Sequence, residues 1–351
     1  MMKKPSKALT TPDQLVEQGL ADPADRPVLD RVSAGFRLRL SSEMAGAIIS
    51  PDDGVGRQFV PSPQELVTRP GDLVDPIGDE THAAAPGVTH RYPDRVILHA
   101  THLCEVYCRF CFRREVVGGD GILPPEDLEA ALDYIAKTPA IWEVILTGGD
   151  PLTLSPRRLA VLMARLQAIP HVEVIRFHTR VPVVAPEKIT ENLIAALAGA
   201  KTVWLVLHAN HVQELTDAAG AALARLAGAG IPLLSQTVLL RGINDDAGIL
   251  EALFRALIRA RVKPYYLHHC DLARGTGHFR TTIGKGQAIM AALRGRLSGI
   301  ALPSYVLDIP GGYGKVPIGP GYLTRAAEGT WEVADPSGRL HRYHDPQDTY
   351  S

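Results

Sequence analysis

The chain has 351 residues, with 37 Lys and Arg against 38 Asp and Glu, and 46% hydrophobic residues. That length buries one large core, or one core plus appendages. The near-zero net charge argues against a nucleic-acid binder driven by bulk charge, and no apolar run reaches the length of a membrane span. Met1 to Lys7 is basic but lacks the apolar core of a signal peptide. Four cysteines, three of them clustered, do not form a secreted disulfide framework. The expected compartment is the reducing cytoplasm.

Residues 1–94 are weakly patterned and read as a helical or wrapping region. Thr11-Pro12-Asp13 opens a short helix, with Thr11 as cap and Pro12 at the first helical position. Arg37 to Met44 forms another short element. Ser50 to Val88 is rich in Pro, Gly and Asp and reads as an ordered wrap or loop region. From residue 95 short apolar runs alternate with amphipathic helices. The strand candidates are Val96–Ala100, Glu143–Thr147, Val172–His178, Val203–His208, Leu233–Leu240 and Pro264–His269. Helical spacing follows the cap Ser155-Pro156 at Leu159, Leu162, Met163, Leu166 and Ile169, and recurs at Leu250, Leu253, Phe254, Leu257 and Ile258. Strands each followed by a helix imply parallel pairing and right-handed crossovers. A full barrel needs eight such units, so the expectation is an open, six-stranded α/β partial barrel over 95–283. Residues 284–351 form a C-terminal extension.

The organising stretch is Cys104-Glu105-Val106-Tyr107-Cys108-Arg109-Phe110-Cys111-Phe112-Arg113-Arg114. Three thiolates this close can grip one face of a metal centre. Metal-bound sulfur is deprotonated, and the neighbouring Arg109, Arg113 and Arg114 are expected to favour that anionic state. An iron–sulfur cube normally takes four cysteines, so a C-x3-C-x2-C run leaves one iron open to another ligand. Structural zinc, the rival, usually closes its shell with four ligands, and no second cysteine pair exists here. Three buried cysteines without metal is the plain structural alternative.

Other polar residues bunch at strand ends, where βα barrels carry their chemistry. Gly148-Gly149-Asp150 follows the second strand, Arg180 the third and Cys270-Asp271 the sixth, and His208 closes the fourth. By itself the glycine turn reads as a backbone approach to a ligand or as a simple βα turn. Asp308-Ile309-Pro310-Gly311-Gly312-Tyr313-Gly314-Lys315 lacks the spacing of a P-loop. Its lysine could form a Schiff base with a carbonyl cofactor such as pyridoxal phosphate (PLP), or could lie exposed in a surface turn.

The cysteine spacing is that of the radical S-adenosylmethionine (SAM) superfamily. The stretches Cys104–Arg114, Thr89–Arg95, Ser235–Asp245, Cys270–Thr281 and Pro310–Lys315 together resemble the lysine 2,3-aminomutase family, over about Asp75 to Pro317. The resemblance implies the partial (βα)6 TIM-like barrel as well. It implies a [4Fe–4S] cluster on Cys104, Cys108 and Cys111, with SAM on the fourth iron. The glycine turn Gly148-Gly149-Asp150 would contact SAM, as would Gln236, and His208 would be a further cofactor-binding residue. Lys315 would hold PLP, with Arg91 and Arg95 on its phosphate, which suits guanidinium geometry. Arg113 matches the arginine that pairs with the substrate carboxylate. Asp271 and Asp308 match two aspartates that bind the substrate's distal ammonium. Two carboxylates in one pocket are costly unless a cation sits between them.

The reaction so implied is an isomerase reaction, the interconversion of L-α-lysine and β-lysine by a 1,2-amino shift. Its expected partners are the small amino acid substrate, an electron donor such as flavodoxin or ferredoxin, and further copies of the chain as a homo-oligomer, with no nucleic acid and no membrane. Alternatives are a 2,3-aminomutase for glutamate or arginine, and the shorter paralogue that makes β-lysine for elongation factor P. Two departures stand out. Tyr313 occupies a turn where the family commonly has four glycines. No cysteine follows Cys270, so the zinc cluster that larger relatives carry between subunits is not expected.

Overall fold

The computed structural model describes residues 5–119 and 121–346; the basic Met1 to Lys4 lie outside the described residues. The main sheet has ten strands in sequence order: β1 (Ala83–Ala85), β2 (Val88–Tyr92), β3 (Arg95–Leu98), β4 (Glu143–Leu146), β5 (Val174–Thr179), β6 (Thr202–His208), β7 (Leu233–Leu239), β8 (Val262–His269), β9 (Ser304–Asp308) and β10 (Lys315–Pro317). Neighbours from β3 to β9 pair in parallel. The antiparallel β1–β2 hairpin flanks β3, and antiparallel β10 flanks β9. All six strands expected from the sequence are present. A seventh parallel strand, β9, joins them, and the partial barrel is larger by that unit.

Helices cover the outer face. Pro156–Gln167 starts at the Ser155 cap and Ala247–Arg259 at Asp246, whose carboxylate accepts from two backbone amides. These side-chain oxygens satisfy amides that the first helical turn leaves unpaired. Leu159, Leu162, Met163 and Leu166 on one helix and Leu250, Leu253, Phe254 and Leu257 on the other point inward and are buried. They pack on strand residues such as Leu98, Leu146, Phe177, Leu205 and Leu267 in one continuous apolar core.

The opposite strand face is polar. Successive strand residues alternate in direction, so Ile175 and Phe177 enter the core while Arg176 and His178 line the barrel interior. Gln236 and Val238 on β7, and Tyr266 and His268 on β8, also face that interior. An interior lined this way is a cavity rather than a packed centre.

The N-terminal region wraps the cysteine loop. Thr11 caps Pro12–Glu17 in a reciprocal capping box with Gln14. The element expected at Arg37 to Met44 is displaced: the helix spans Ser42–Ala47 behind the Ser41 cap, and Leu40 instead bridges to Leu9. A further helix, Arg26–Gly35, was not anticipated. Tyr107 donates its amide to the Arg39 carbonyl at 2.8 Å, and Arg109 donates its amide to the Gln58 carbonyl at 2.8 Å. The Arg109 side chain, with no exposed surface, donates to Glu65 at 2.6 Å and to the Phe36 and Arg37 carbonyls. Arg114 meets the same carboxylate at 2.8 Å. Three further strands, β11 (Leu323–Ala327), β12 (Thr330–Ala334) and β13 (Leu340–His344), form a separate antiparallel sheet.

Removing Glu65 would strand a buried guanidinium. The expected cost of Glu65→Ala is about 3–5 kcal/mol of unfolding free energy, read as a lower denaturant midpoint. An unchanged midpoint would mean that the two carbonyls satisfy Arg109 alone.

Candidate active site

One cavity of about 610 Å³ runs through the barrel interior. Every site residue singled out in the sequence lines it: Cys104, Cys108, Cys111, Gly148, Gly149, Asp150, His208, Gln236, Arg91, Arg95, Arg113, Asp271, Asp308 and Lys315. They arrive from eight strands and the loops after them, so only the fold brings them together.

The cysteines form one wall. Burial raises all three thiol pKa values, Cys111 to about 11, and charge on neighbouring cysteines raises Cys104 and Cys111 further. The expectation that the adjacent arginines favour thiolate needs correction. Arg109 and Arg114 are committed to Glu65 and Arg113 to Asp79. Arg113 and Arg114 lower the Cys111 value only in smaller measure. The guanidinium that touches sulfur is Arg180, which donates to Cys108 Sγ at 2.9 Å. It comes from the end of β5, remote in sequence from the cysteines.

The glycine turn sits beside that wall. Gly148 has φ +111°, and a Cβ there would lie 2.5 Å from His99 Nδ1; a Cβ on Gly149 would lie 2.5 Å from the Leu103 carbonyl oxygen. Side chains are therefore excluded at both positions. Asp150 holds the turn in place. Its carboxylate accepts from Thr179 Oγ1 at 2.7 Å, the Arg180 amide at 2.7 Å and the Leu152 amide at 3.0 Å. His208 stacks edge-on against Phe110 with ring centroids 5.7 Å apart. Burial holds its imidazole well below the ordinary range, and its Nε2 has no partner.

The opposite wall carries Lys315. Asp308 and Lys315 are paired across β9 and β10, the relation that brings cross-strand side chains together. Lys315 Nζ forms an ion pair with Asp308 Oδ2 and lies 3.3 Å from His268 Nδ1. Tyr92 Oη accepts from the Lys315 amide at 2.8 Å. Hydrogen bonds and charge from His268 and Lys315 hold the Asp308 carboxyl well below its usual range, against the opposing effect of burial. Asp271 has the reverse fate. Burial pushes its carboxyl up to about 7, the nearby Asp308 charge adds to the rise, and Lys315 and Arg113 oppose it. The two aspartates do converge on one pocket.

The three remaining arginines are already engaged. Arg113 holds Asp79 through Nε and Nη2, one edge of its guanidinium, at 2.6 and 3.3 Å. Arg91 donates to the Ile77 carbonyl and lies 3.8 Å from Asp79 and 3.9 Å from Asp308, with its Nε buried and unpartnered. Arg95 stacks on the Tyr92 ring at 3.8 Å and pairs with Asp94. It starts β3, so it stands at the end of the barrel away from the cysteine loop.

Two family models match the chain: the radical SAM superfamily over residues 98–253 and lysine-2,3-aminomutase over residues 290–351. The L-lysine 2,3-aminomutase of Fusobacterium nucleatum is 43% identical over 84% of this chain and 69% of its own length. That of Clostridium subterminale is 42% identical over 84% and 71%. The chain belongs to the lysine 2,3-aminomutase family of radical SAM enzymes. The family also reaches a different substrate: the glutamate 2,3-aminomutase of Clostridioides difficile is 36% identical over 91% of this chain and 76% of its own. The chain is accordingly an enzyme of isomerase type. Radical SAM chemistry uses a [4Fe–4S] cluster, SAM and a reductant.

The cavity suits those groups. Three thiols close enough to perturb one another line one wall. The unpartnered buried nitrogens of His178, His208, His268, Arg91 and Arg176 belong to cavity-lining residues, and buried polar atoms generally need partners. Sequence reading passed over several residues of this aminomutase-family site. Arg180 reads in the sequence only as a strand-end residue, and its partners Gln58 and Glu214, with Asn210 bonded behind them to Gln58, carry no signal there. His178 and His268 were absorbed into strands. The signal available was their phase, two residues apart from Arg176 and Tyr266 on the polar face. Among the described residues no helix is long and apolar enough to cross a membrane.

Asp271 yields a pH prediction. Its folded value near 7 stands above the unfolded value near 3.8. An acid raised on folding costs stability once the unfolded chain ionises; the cost grows from about pH 4 and levels off above about pH 7. Asp271→Asn is therefore expected to stabilise the ligand-free protein, with a melting-temperature gain that is small at pH 4.5 and largest at pH 8. The scale is on the order of 2–4 kcal/mol. A gain independent of pH would show that the carboxylate is solvated.

Proposed function

We propose that the chain is an L-lysine 2,3-aminomutase, interconverting L-α-lysine and β-lysine with PLP bound at Lys315. The observation that carries this reading is the pair of carboxylates, Asp271 and Asp308, facing one pocket beside Lys315. A substrate with a cationic side chain relieves their mutual repulsion. A glutamate side chain would add to it.

The cluster and SAM supply a carbon radical, and PLP supplies a π system for the migrating nitrogen. The protein's part is placement. Cys104, Cys108 and Cys111 would hold the cluster. The backbone at Gly148 and Gly149 would approach the amino group of SAM, with His208 and Gln236 on the same cofactor. Arg91 and Arg95 would meet the PLP phosphate. Arg113 would take the substrate carboxylate, and must then share or release Asp79. Asp308 pairs with Lys315 Nζ in the structure, so committing that nitrogen to PLP releases Asp308 for the substrate's distal ammonium. With the cofactors in place the walls would keep water from reactive species.

The test is anaerobic turnover by protein reconstituted with iron, sulfide and PLP, then given SAM, dithionite and L-lysine. β-Lysine, identified by mass spectrometry, is the expected product, with L-glutamate left unconverted. Asp271→Asn combined with Asp308→Asn is expected to lower kcat/KM for lysine about 10²-fold or more, since each removes a desolvated charge partner. SAM cleavage without β-lysine, or equal turnover in the double variant, would overturn the substrate assignment.

A further inference from the structure

We propose that His268 is a proton relay for Lys315, taking a proton from Nζ at its Nδ1 and releasing one to the cavity from its Nε2. This rests on the assignment of PLP to Lys315 and deepens it.

The geometry is that of a two-ended imidazole. Nδ1 lies 3.3 Å from Lys315 Nζ and 3.3 Å from Asp308 Oδ2. One nitrogen cannot accept from the lysine and donate to the aspartate in the same tautomer. With Nδ1 protonated, the ring donates to Asp308 and presents an Nε2 lone pair to the cavity. With Nδ1 bare, it accepts from Lys315 and presents Nε2–H. His268 lines the cavity, and its Nε2 is buried with no partner in the protein. The relay's outer end is thus left for a ligand or water to engage.

The surroundings suit transfer. The groups facing the ring are Asp308 on β9, Lys315 on β10, His178 on β5, His208 on β6 and Tyr266 on its own strand. Burial, helped by the Lys315 charge, lowers the imidazole's pKa below its ordinary value, while Asp308 opposes that drop. The ring is therefore neutral and able to accept. When it accepts, Asp308 stands beside the imidazolium and compensates the charge. The two other histidines are also held neutral by burial and do not compete as cations.

The step balances without oxidant or reductant. The Lys315 ammonium gives one proton to Nδ1 as Nε2 gives one to the cavity. The freed amine forms a C–N bond to the PLP aldehyde carbon. The aldehyde oxygen leaves as water with the amine's two remaining hydrogens, and an imine results. The reverse sequence returns Lys315 to its ammonium form.

The experiment uses the full chain with its cluster, prepared without PLP. PLP is added at several concentrations between pH 6 and 9, samples are quenched with borohydride, and the pyridoxyl adduct at Lys315 is quantified by mass spectrometry over time. His268→Asn keeps a polar atom near the Nδ1 position but cannot relay a proton; His268→Gln is the second variant. Both are expected to lower the saturating rate at pH 7 about 10²-fold, with the half-saturating PLP concentration unchanged and a rate that climbs with pH beyond the parent's plateau. Parent-like saturating rates across the range would overturn the relay. A raised half-saturating concentration with an unchanged saturating rate would assign His268 to packing instead, and also overturn it. Absence of any Lys315 adduct in the parent would overturn the PLP assignment itself, a separate and distinguishable failure.

Discussion

The site depends on one buried guanidinium. Arg180 reaches from the end of β5 to Cys108 Sγ at 2.9 Å, to the Glu214 carboxylate and to Gln58 Oε1 at 3.0 Å. Glu214, Gln58 and Asn210 have no exposed surface. A charge buried this deeply is tolerable only if every partner is in place. The partners come from the N-terminal wrap, the loop after β6 and the cysteine loop, so satisfying Arg180 fixes all three relative to the barrel. Asn210 continues the chain, donating to Gln58 at 3.0 Å and accepting from the Val238 amide at 2.8 Å. The cysteine loop has no helix or strand of its own. Its shape is borrowed from this network and from the Arg109–Glu65 pair on its other side.

Charges elsewhere in the cavity alternate in the same spirit. Arg113 meets Asp79, which neighbours Arg91, which neighbours Asp308, which meets Lys315. Each ion has an opposite neighbour, so the low-dielectric interior is tolerated before anything binds. Asp271 lies outside that pairing, and its raised pKa expresses it. The arrangement explains how one cavity can hold residues suited to a carboxylate and residues suited to an ammonium without collapsing. Their protein partners occupy the positions that ligand charges of the same sign would take.

Much of this was legible in the chain. The six strands from β3 to β8 follow from apolar runs of the right length, and the caps Thr11 and Ser155 follow from hydrogen-bonding chemistry. Most of the motifs carried the site because they lie where parallel strands end, and those ends share one rim; Gln236 inside β7 and Arg95 at the start of β3 reach the cavity from below it. What escaped had physical reasons. β9 is short and opens on Ser304, with Asp308 at its end, so its apolar run is only Tyr305-Val306-Leu307; its pairing with β8 is tertiary. Arg180 was legible as a strand-end residue but its role was not, because its sulfur partner is 72 residues away. Proximity in sequence misled in the opposite direction. Arg109, Arg113 and Arg114 sit among the cysteines in the chain, yet carboxylates from the N-terminal wrap and hairpin region claim them.

The lysine turn shows how a departure from the family pattern can leave a site intact. Asp308 and Lys315 face each other across β9 and β10, so the chain must reverse within the residues between them. Gly311, Gly312 and Gly314 all adopt φ between +86° and +101°, a region that penalises side chains. A Cβ on Gly312 would also lie 2.8 Å from the His82 ring, and one on Gly314 would lie 3.3 Å from Tyr92 Oη. Tyr313 is different. Its φ is not positive, and 82% of its surface is exposed. The tyrosine therefore occupies the position among these four where a side chain neither strains the backbone nor meets the cavity. The reversal depends on the other three, and with it the cross-strand contact that sets Lys315 against Asp308 and His268.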